Sequence, residues 1–347
     1  MDFLLLLRDT LRPGVLSCGD EFRSRHSAWL LAQQRPDGGF ANRRGASDLY
    51  YTAFALRSLS ALGALSQSVA EGAFSFLEGL RKQDAALRVR QPRGCFCDAV
   101  SATSWWDSLQ LCEEILGAKL SESDRAEALT ATRGRLAQLR RDDGGIAKTD
   151  LDGCGSLYHT LLASALVVRS QDRSSGGTAG QASSGTHSDV NELARFLRSL
   201  QLAEGGFLEN RFSRRPATNG SAAGVVLAIM LGTAFPPPLE GGGRGRGDVP
   251  LALSEAELSS HVRFLASQQS EEGGWLAAPG APMADLLSTF AALFVLKQCG
   301  WDDPKSLARA KAYAGSLEVE TGGYIGFLLE QHADCEYTFY GLGVAAL

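Results

Sequence analysis

Two kinds of apolar run alternate along the chain. The first kind is amphipathic and ends in Gln or Arg: HSAWLLAQQ from His26, VAEGAFSFLEGLRKQ from Val69, LARFLRSLQ from Leu193 and LSSHVRFLASQQ from Leu258. The second is apolar on nearly every side: YYTAFALRSLSALG from Tyr50, HTLLASALVV from His159, SAAGVVLAIMLG from Ser221, STFAALFVLKQCG from Ser288 and YTFYGLGVAAL from Tyr337. Both spacings predict helices. A helix that is apolar all round must be buried all round, so the second kind is expected inside and the first outside.

A glycine pair with a following apolar residue separates the two. It recurs at Asp37–Phe40, Asp143–Ile146, Glu204–Phe207, Glu272–Trp275 and Thr321–Tyr324. Glycine supplies the positive-φ turn that stops the outer helix. The 106 residues from Gly38 to Gly144 are twice the period and predict a hidden copy between them. It is found at Arg93-Gly94-Cys95-Phe96, ahead of SWWDSLQLCEEILG, with the glycine pair eroded. Six outer/inner pairs therefore form the array. A pair cannot bury its own inner helix, so stability needs stacking and closure. The expected fold is an all-α, αα-toroid of six repeats, one domain over residues 1–347. Gly/Ser/Pro-rich stretches at 172–188 and 234–250 break the period and read as flexible insertions. The Arg246-Gly247-Asp248 triplet in the second is a loop sequence.

Composition narrows the function. Hydrophobic content is 44%, charged content 21% and net charge −5, a profile without the basic excess that nucleic acid requires. Only five successive apolar residues precede Arg8, too few for a signal core or a membrane span, so cytoplasmic placement is the expectation. Seven scattered cysteines without a CxxC pair argue against a disulfide framework or a Cys-rich zinc site.

The repeated Gln-x₃₋₄-GGF/W turn resembles the αα-toroid superfamily, which includes protein-prenyltransferase β subunits and squalene/oxidosqualene cyclases. The pattern looks most like the β subunit of type II geranylgeranyltransferase, over residues 25–347. The resemblance implies a central aromatic-lined funnel for an isoprenoid chain as its prenyl diphosphate. It also implies a rim zinc on an Asp-x-Cys pair and a His, and a helical-repeat α subunit as partner. Aligned on Thr52, Thr160, Thr289 and Thr338, the family Asp falls on Asp285, the Cys on Leu287 and the His on Tyr337. One ligand position of three is kept, so zinc bound in the family's manner is not expected. A substitute set would have to come from His332, Asp334, Cys335 and Asp285. The family's diphosphate-holding cations fall in a stretch without any.

The slot before each inner helix holds Asp48, Ser156, Asp285 and Asp334. Next to it come Tyr50, Tyr51, Tyr158, His159, Glu336 and Tyr337. An Asp there is ordinarily an N-cap. In a toroid, however, all inner-helix N-termini meet at one rim, where Asp285, Asp334, Glu336 and Tyr337 are the catalytic candidates. Crowded carboxylates raise one another's pKa, as a general acid needs. Tyr50, Tyr51, Trp106, Tyr158 and Tyr340 are candidates for the wall of an apolar cavity, with His159 beside them. Arg43, Arg44, Arg211, Arg214 and Arg215 lie in pre-helix loops, solvated or, for Arg211 and Arg215, positioned to hold a diphosphate. Three functions fit these residues. The first is a prenyltransferase-β-like transferase with an altered site. The second is a terpenoid-cyclase-like enzyme using Asp334 or Asp285 as acid, Asp334-Cys335-Glu336 faintly resembling the cyclase acid motif. The third is a non-catalytic toroid that binds protein or lipid.

Overall fold

The computed structural model describes residues 3–43, 45–87, 95–172, 185–231 and 253–347. The described chain is helical: α1 (Phe3–Ser17), α2 (Asp20–Leu31), α3 (Leu49–Ala61), α4 (Gln67–Leu87), α5 (Ala99–Leu116), α6 (Glu122–Leu139), α7 (Leu157–Asp172), α8 (Gly185–Leu200), α9 (Thr218–Met230), α10 (Glu255–Ser267), α11 (Leu286–Gln298), α12 (Pro304–Ser316) and α13 (Cys335–Ala346). The apolar helices α3, α5, α7, α9, α11 and α13 pack each against the next, and α13 returns to α3, closing a ring. The amphipathic helices surround it in alternation. This is the expected six-repeat αα-toroid, with the hidden second copy supplied by α4, Phe96 and α5.

One hydrogen-bond motif builds every complete repeat. The residue after the glycine pair donates its backbone N–H to a hydroxyl in the first turn of the inner helix. The pairs are Phe40 to Thr52 (2.8 Å), Ile146 to Thr160 (2.9 Å), Phe207 to Ser221 (2.9 Å), Trp275 to Thr289 (2.9 Å) and Tyr324 to Thr338 (3.1 Å). The repeated spacing of these Thr and Ser positions is thus a structural rivet. A buried backbone N–H requires such a partner. The turn also presses on the next outer helix. At Gly273, φ is +100° and a Cβ would lie 2.6 Å from the Arg309 carbonyl oxygen of α12. The last turn meets α2: Gly323 donates to His26 Nδ1 at 3.0 Å, and the His26 ring stacks on Tyr324. The outer layer is closed there by residues almost three hundred positions apart.

Two features differ from the sequence reading. Helix α1 is an added element, lying across the C-terminal ends of the inner helices, against α13 and α3. Its approach is close enough that a Cβ at Gly14 would fall 2.2 Å from the Ala346 carbonyl oxygen. The insertion expected at 172–188 is shorter, because α7 runs to Asp172 and α8 starts at Gly185. Residues 173–184, Arg44, the Arg93-Gly94 pair and the whole of 234–250, including the Arg246-Gly247-Asp248 triplet, lie outside the described residues. No described helix is long and apolar enough to cross a membrane.

Candidate active site in the central cavity

Each inner helix turns one stripe toward the ring axis, at the three-to-four-residue spacing of a helix face. Tyr50, Phe54 and Arg57 come from α3; Asn219, Ala222 and Val226 from α9; Leu287, Phe290 and Phe294 from α11. Together with stripes from α5, α7 and α13 they enclose a cavity of about 390 Å³. Phe3, Leu4 and Leu7 of α1 line it at its C-terminal end, so α1 acts as the floor. Phe3 meets Phe294 edge-on there, with centroids 6.3 Å apart. The walls are apolar. Polar groups gather near the inner-helix N-termini.

Glu336 is the centre of one polar group. Its Oε1 accepts from the Tyr50 hydroxyl at 2.7 Å and the Tyr340 hydroxyl at 3.2 Å. Burial raises its pKa above the usual carboxylate range, against the pull of the Tyr50 hydrogen bond. The Tyr50 and Tyr340 hydroxyls are raised as well, chiefly by burial, and stay protonated.

Glu209, in the loop before α9, is the centre of a second. Its Oε1 accepts from the Ser156 hydroxyl at 2.5 Å and from Tyr158 N at 3.3 Å. Ser156 stands where α3, α5, α11 and α13 have an Asp cap, and Glu209 supplies the missing carboxylate from the next repeat. Burial raises Glu209 too. Tyr158 keeps 39% of its surface accessible while lining the cavity, so its ring is open to the cavity interior. Its pKa is pushed up to about 12 by burial.

Arg57 is the cation on the wall among the described residues. Burial would lower its pKa, yet Asp107 holds it up through charge and a hydrogen bond from Nε. It also lies over the Phe54 ring, 5.0 Å from the centroid.

Of the sequence candidates, Tyr50, Tyr158, Tyr340 and Glu336 are therefore brought together on the cavity wall. Asp285, Asp334 and Tyr337 are not lining residues. Asp285 caps α11 through Ser288 N at 2.7 Å, and Asp334 caps α13 through Tyr337 N at 2.8 Å. Asp334 also pairs with Arg43 at 3.1 Å, and Arg43 bonds Glu330 as well. Burial raises both aspartates. Tyr337 packs on Gly326. Tyr51 sits edge-on to Tyr50, outside the cavity. Trp106 faces the outer layer, donating to Thr132 of α6 at 3.0 Å. His159 Nδ1 lies 2.8 Å from Ser156 Oγ and donates to it, since Ser156 gives its one hydrogen to Glu209, and burial lowers the His159 pKa. Arg211 bonds the Gly153 carbonyl and Asp142, while Arg211, Arg214 and Arg215 are exposed. None of these last residues lines the cavity.

The sequence reading passed over Arg57, Asp107, Glu209 and Asn219. Arg57 carried a legible signal, a lone charge inside an otherwise apolar helix. Asp107 carried a matching one. Glu209 and Asn219 sit in polar surroundings and gave none.

The residues where the sequence resemblance implied a zinc ion do not fit one. Asp285 is spent on its helix cap, and Leu287 and Tyr337 offer neither thiolate nor imidazole. Among the described residues, no three His, Cys, Asp or Glu side chains converge as ligands.

The sequence profile of the prenyltransferase alpha-alpha toroid domain matches residues 4–209 and 247–347. Among curated proteins no sequence match was found. Similar folds occur in the type II terpene cyclase MstE from Scytonema, in its apo form at 14% identity and TM-score 0.55, covering 94% of this chain and 96% of that one. A variant of that cyclase in complex with geranylgeranyl dihydroxybenzoate gives 13% identity and TM-score 0.55, with 99% and 97% covered. A D-mannose isomerase gives 12% identity and TM-score 0.58, with 94% and 97% covered. At such identities the likeness is one of fold.

Proposed function

Because the chain belongs to the prenyltransferase alpha-alpha toroid domain family, we propose that its central cavity binds an isoprenoid chain and that the protein transforms it. The observation that carries this reading is the cavity: concave, walled by Phe54, Leu161, Val226, Phe290 and Phe294, floored by α1, and polar chiefly near the inner-helix N-termini and at Arg57. That is the usual form of a small-molecule site. Transfer of apolar ligand surface from water contributes about 25 cal/mol per Å². The cyclase neighbours, bound to geranylgeranyl dihydroxybenzoate and to merosterolic acid A, support an isoprenoid as ligand.

The finer assignment, a geranylgeranyltransferase-like β subunit with a diphosphate ligand and a helical-repeat α subunit, has less support. It calls for free cations and a thiol-activating metal, and the wall offers Arg57, already paired with Asp107.

A specific observation favours acid-initiated terpenoid chemistry instead. Glu336 is a carboxyl on the cavity wall whose pKa is raised by burial, the direction a general acid needs. The proton would pass to one alkene carbon, whose π pair forms the new C–H bond and leaves a cation on the neighbouring carbon. The faces of Phe54, Phe290 and Phe339 would stabilise that cation. A carboxylate on the wall would take the proton back. This reading moves the acid from Asp334 or Asp285 to Glu336.

The test is isoprenoid binding to purified protein by native mass spectrometry, followed by product analysis. We expect one isoprenoid per chain, and Glu336→Gln to keep binding while losing turnover by about a hundredfold. Failure of every isoprenoid to bind removes the reading. Full turnover by Glu336→Gln removes the acid assignment alone.

A further inference from the structure

Arg57 is the cation on the described cavity wall, and its fork of donors is only partly used. The Nε atom donates to Asp107. Nη1 and Nη2 make no hydrogen bond to a described residue, and neither is sealed off as the Asn219 Oδ1 atom is. The side chain keeps 15% of its surface accessible. Arg57 stands inside the closed ring, over the α1 residues Leu4 and Leu7, so that surface faces the cavity. The Phe54 ring backs the guanidinium, 5.0 Å from centroid to Cζ, and fixes its plane. A smaller cavity of about 30 Å³ adjoins the same side chain beneath α1, with room for a water but not for a ligand.

Donors held in apolar surroundings mark a place where an acceptor belongs. Arginine has donors only, so the partner it calls for is an oxygen with free lone pairs. Asp107 decides the charge of that oxygen. Its carboxylate already balances Arg57, and a second anion would enter an apolar cavity without a free countercharge. A carbonyl oxygen brings no charge and has two lone pairs for the two Nη atoms. A hydrocarbon in the same place strips water from the fork and returns nothing.

We propose that Arg57 anchors a neutral carbonyl oxygen at the α1 end of the cavity, which makes an isoprenoid ketone, ester or quinone the preferred ligand over the free acid or the diphosphate. This rests on the reading that an isoprenoid chain fills the cavity. The anchor also orients the chain. Arg57 lies seven residues along α3 from Tyr50, about 10 Å on the helix axis, and the Tyr50 hydroxyl holds Glu336. The carbonyl end sits at the floor, and the alkene end points toward Glu336 and the rim. Arg57 is a binding and orienting residue here, and it takes no part in proton transfer.

The experiment uses geranylacetone labelled with carbon-13 at its carbonyl, with β-farnesene, farnesoic acid and farnesyl diphosphate as comparisons. Calorimetry gives the affinities, and isotope-edited infrared spectroscopy gives the carbonyl stretch of the bound ketone. In the native protein that stretch should fall below its frequency in hexane, as a charged donor requires. The ketone should bind more tightly than the acid or the diphosphate. Arg57→Met combined with Asp107→Asn removes both charges together, so that no carboxylate is left buried alone. This variant should weaken the ketone about tenfold, restore the carbonyl frequency and leave β-farnesene within about twofold. Retained β-farnesene binding shows that its cavity is intact. Arg57→Lys, which keeps the charge beside Asp107 and withdraws the fork, should move both readings in the same direction by a smaller amount. An unshifted carbonyl in the native protein overturns the proposal and spares the isoprenoid reading, as does tighter binding of the acid or the diphosphate. Binding by none of the four probes overturns both.

Discussion

At the scale of single residues, buried ionisable groups set how the protein responds to pH. His26 and His261 occupy equivalent places on α2 and α10, and each accepts a backbone N–H from a glycine-pair turn at Nδ1, from Gly323 at 3.0 Å and Gly206 at 2.9 Å. That fixes the neutral tautomer with hydrogen on Nε2. His26 gives this hydrogen to Glu318 at 3.0 Å, but His261 Nε2 is buried without a partner. Burial pushes the His261 pKa down to about 4. A folded pKa below the unfolded value means that the unfolded chain binds more protons on acidification. Stability from His261 is therefore present above about pH 6.5 and lost as pH falls toward 4. Urea denaturation should show His261→Gln losing less stability than wild type between pH 7 and 4.5, though starting about 1–2 kcal/mol lower. An identical pH slope in the two proteins contradicts this account. Glu336 works the other way. Its folded pKa is raised, so the stability it contributes is present at low pH and lost as pH rises through that value. If it is the acid, turnover must decline over the same rise, and the declining limb should shift in Glu336→Asp; a limb left unchanged means that another group supplies the proton.

At the scale of elements, the repeat is held together by the link between turn and inner helix. Thr338 takes the Tyr324 N–H at 3.1 Å and gives its own hydrogen to the Asp334 carbonyl at 2.6 Å. Thr338→Val keeps the shape and orphans that N–H. It should cost about 1–3 kcal/mol in chemical denaturation, whereas Thr130→Val on the exposed side of α6 should cost much less. Gly273→Ala should be worse, because the added carbon meets the Arg309 backbone and the turn has positive φ. The Asp caps belong to this scale as well. Asp285 and Asp334 came into view as possible acids because they share the cap slot, two residues before the position of Glu336 in the repeat. Packing then divides them: the cap position faces its own helix, and the position two residues on faces the axis.

At the scale of the molecule, closure makes the cavity. The ring shuts where α13 meets α3, and α1 covers its C-terminal end. Removing residues 1–17 should expose Phe294 and Phe339, raise dye binding to apolar surface, and weaken any cavity ligand about tenfold or more. Unchanged ligand affinity in a truncated protein that still folds contradicts the floor assignment. The fold was highly legible because a repeat writes the same instruction six times, and even the eroded copy at Cys95–Phe96 kept its helix pair. The site was legible in part. Tyr50, Tyr158, Tyr340 and Glu336 lie on inner-helix faces whose period points them inward. Glu209 lies in a loop, where no periodicity says which way a side chain turns.

By itself the sequence determined the helix pairs, their inner and outer roles, and that Leu287 and Tyr337 offer neither thiolate nor imidazole. These follow from apolar spacing and residue chemistry, which are local. Only the tertiary structure decided which carboxyl reaches the cavity, that Glu209 completes the cap left by Ser156, that Arg57 is neutralised by Asp107, and that α1 seals the ring. Each of these depends on contacts between residues far apart in the chain, whose geometry is set by closure of the toroid.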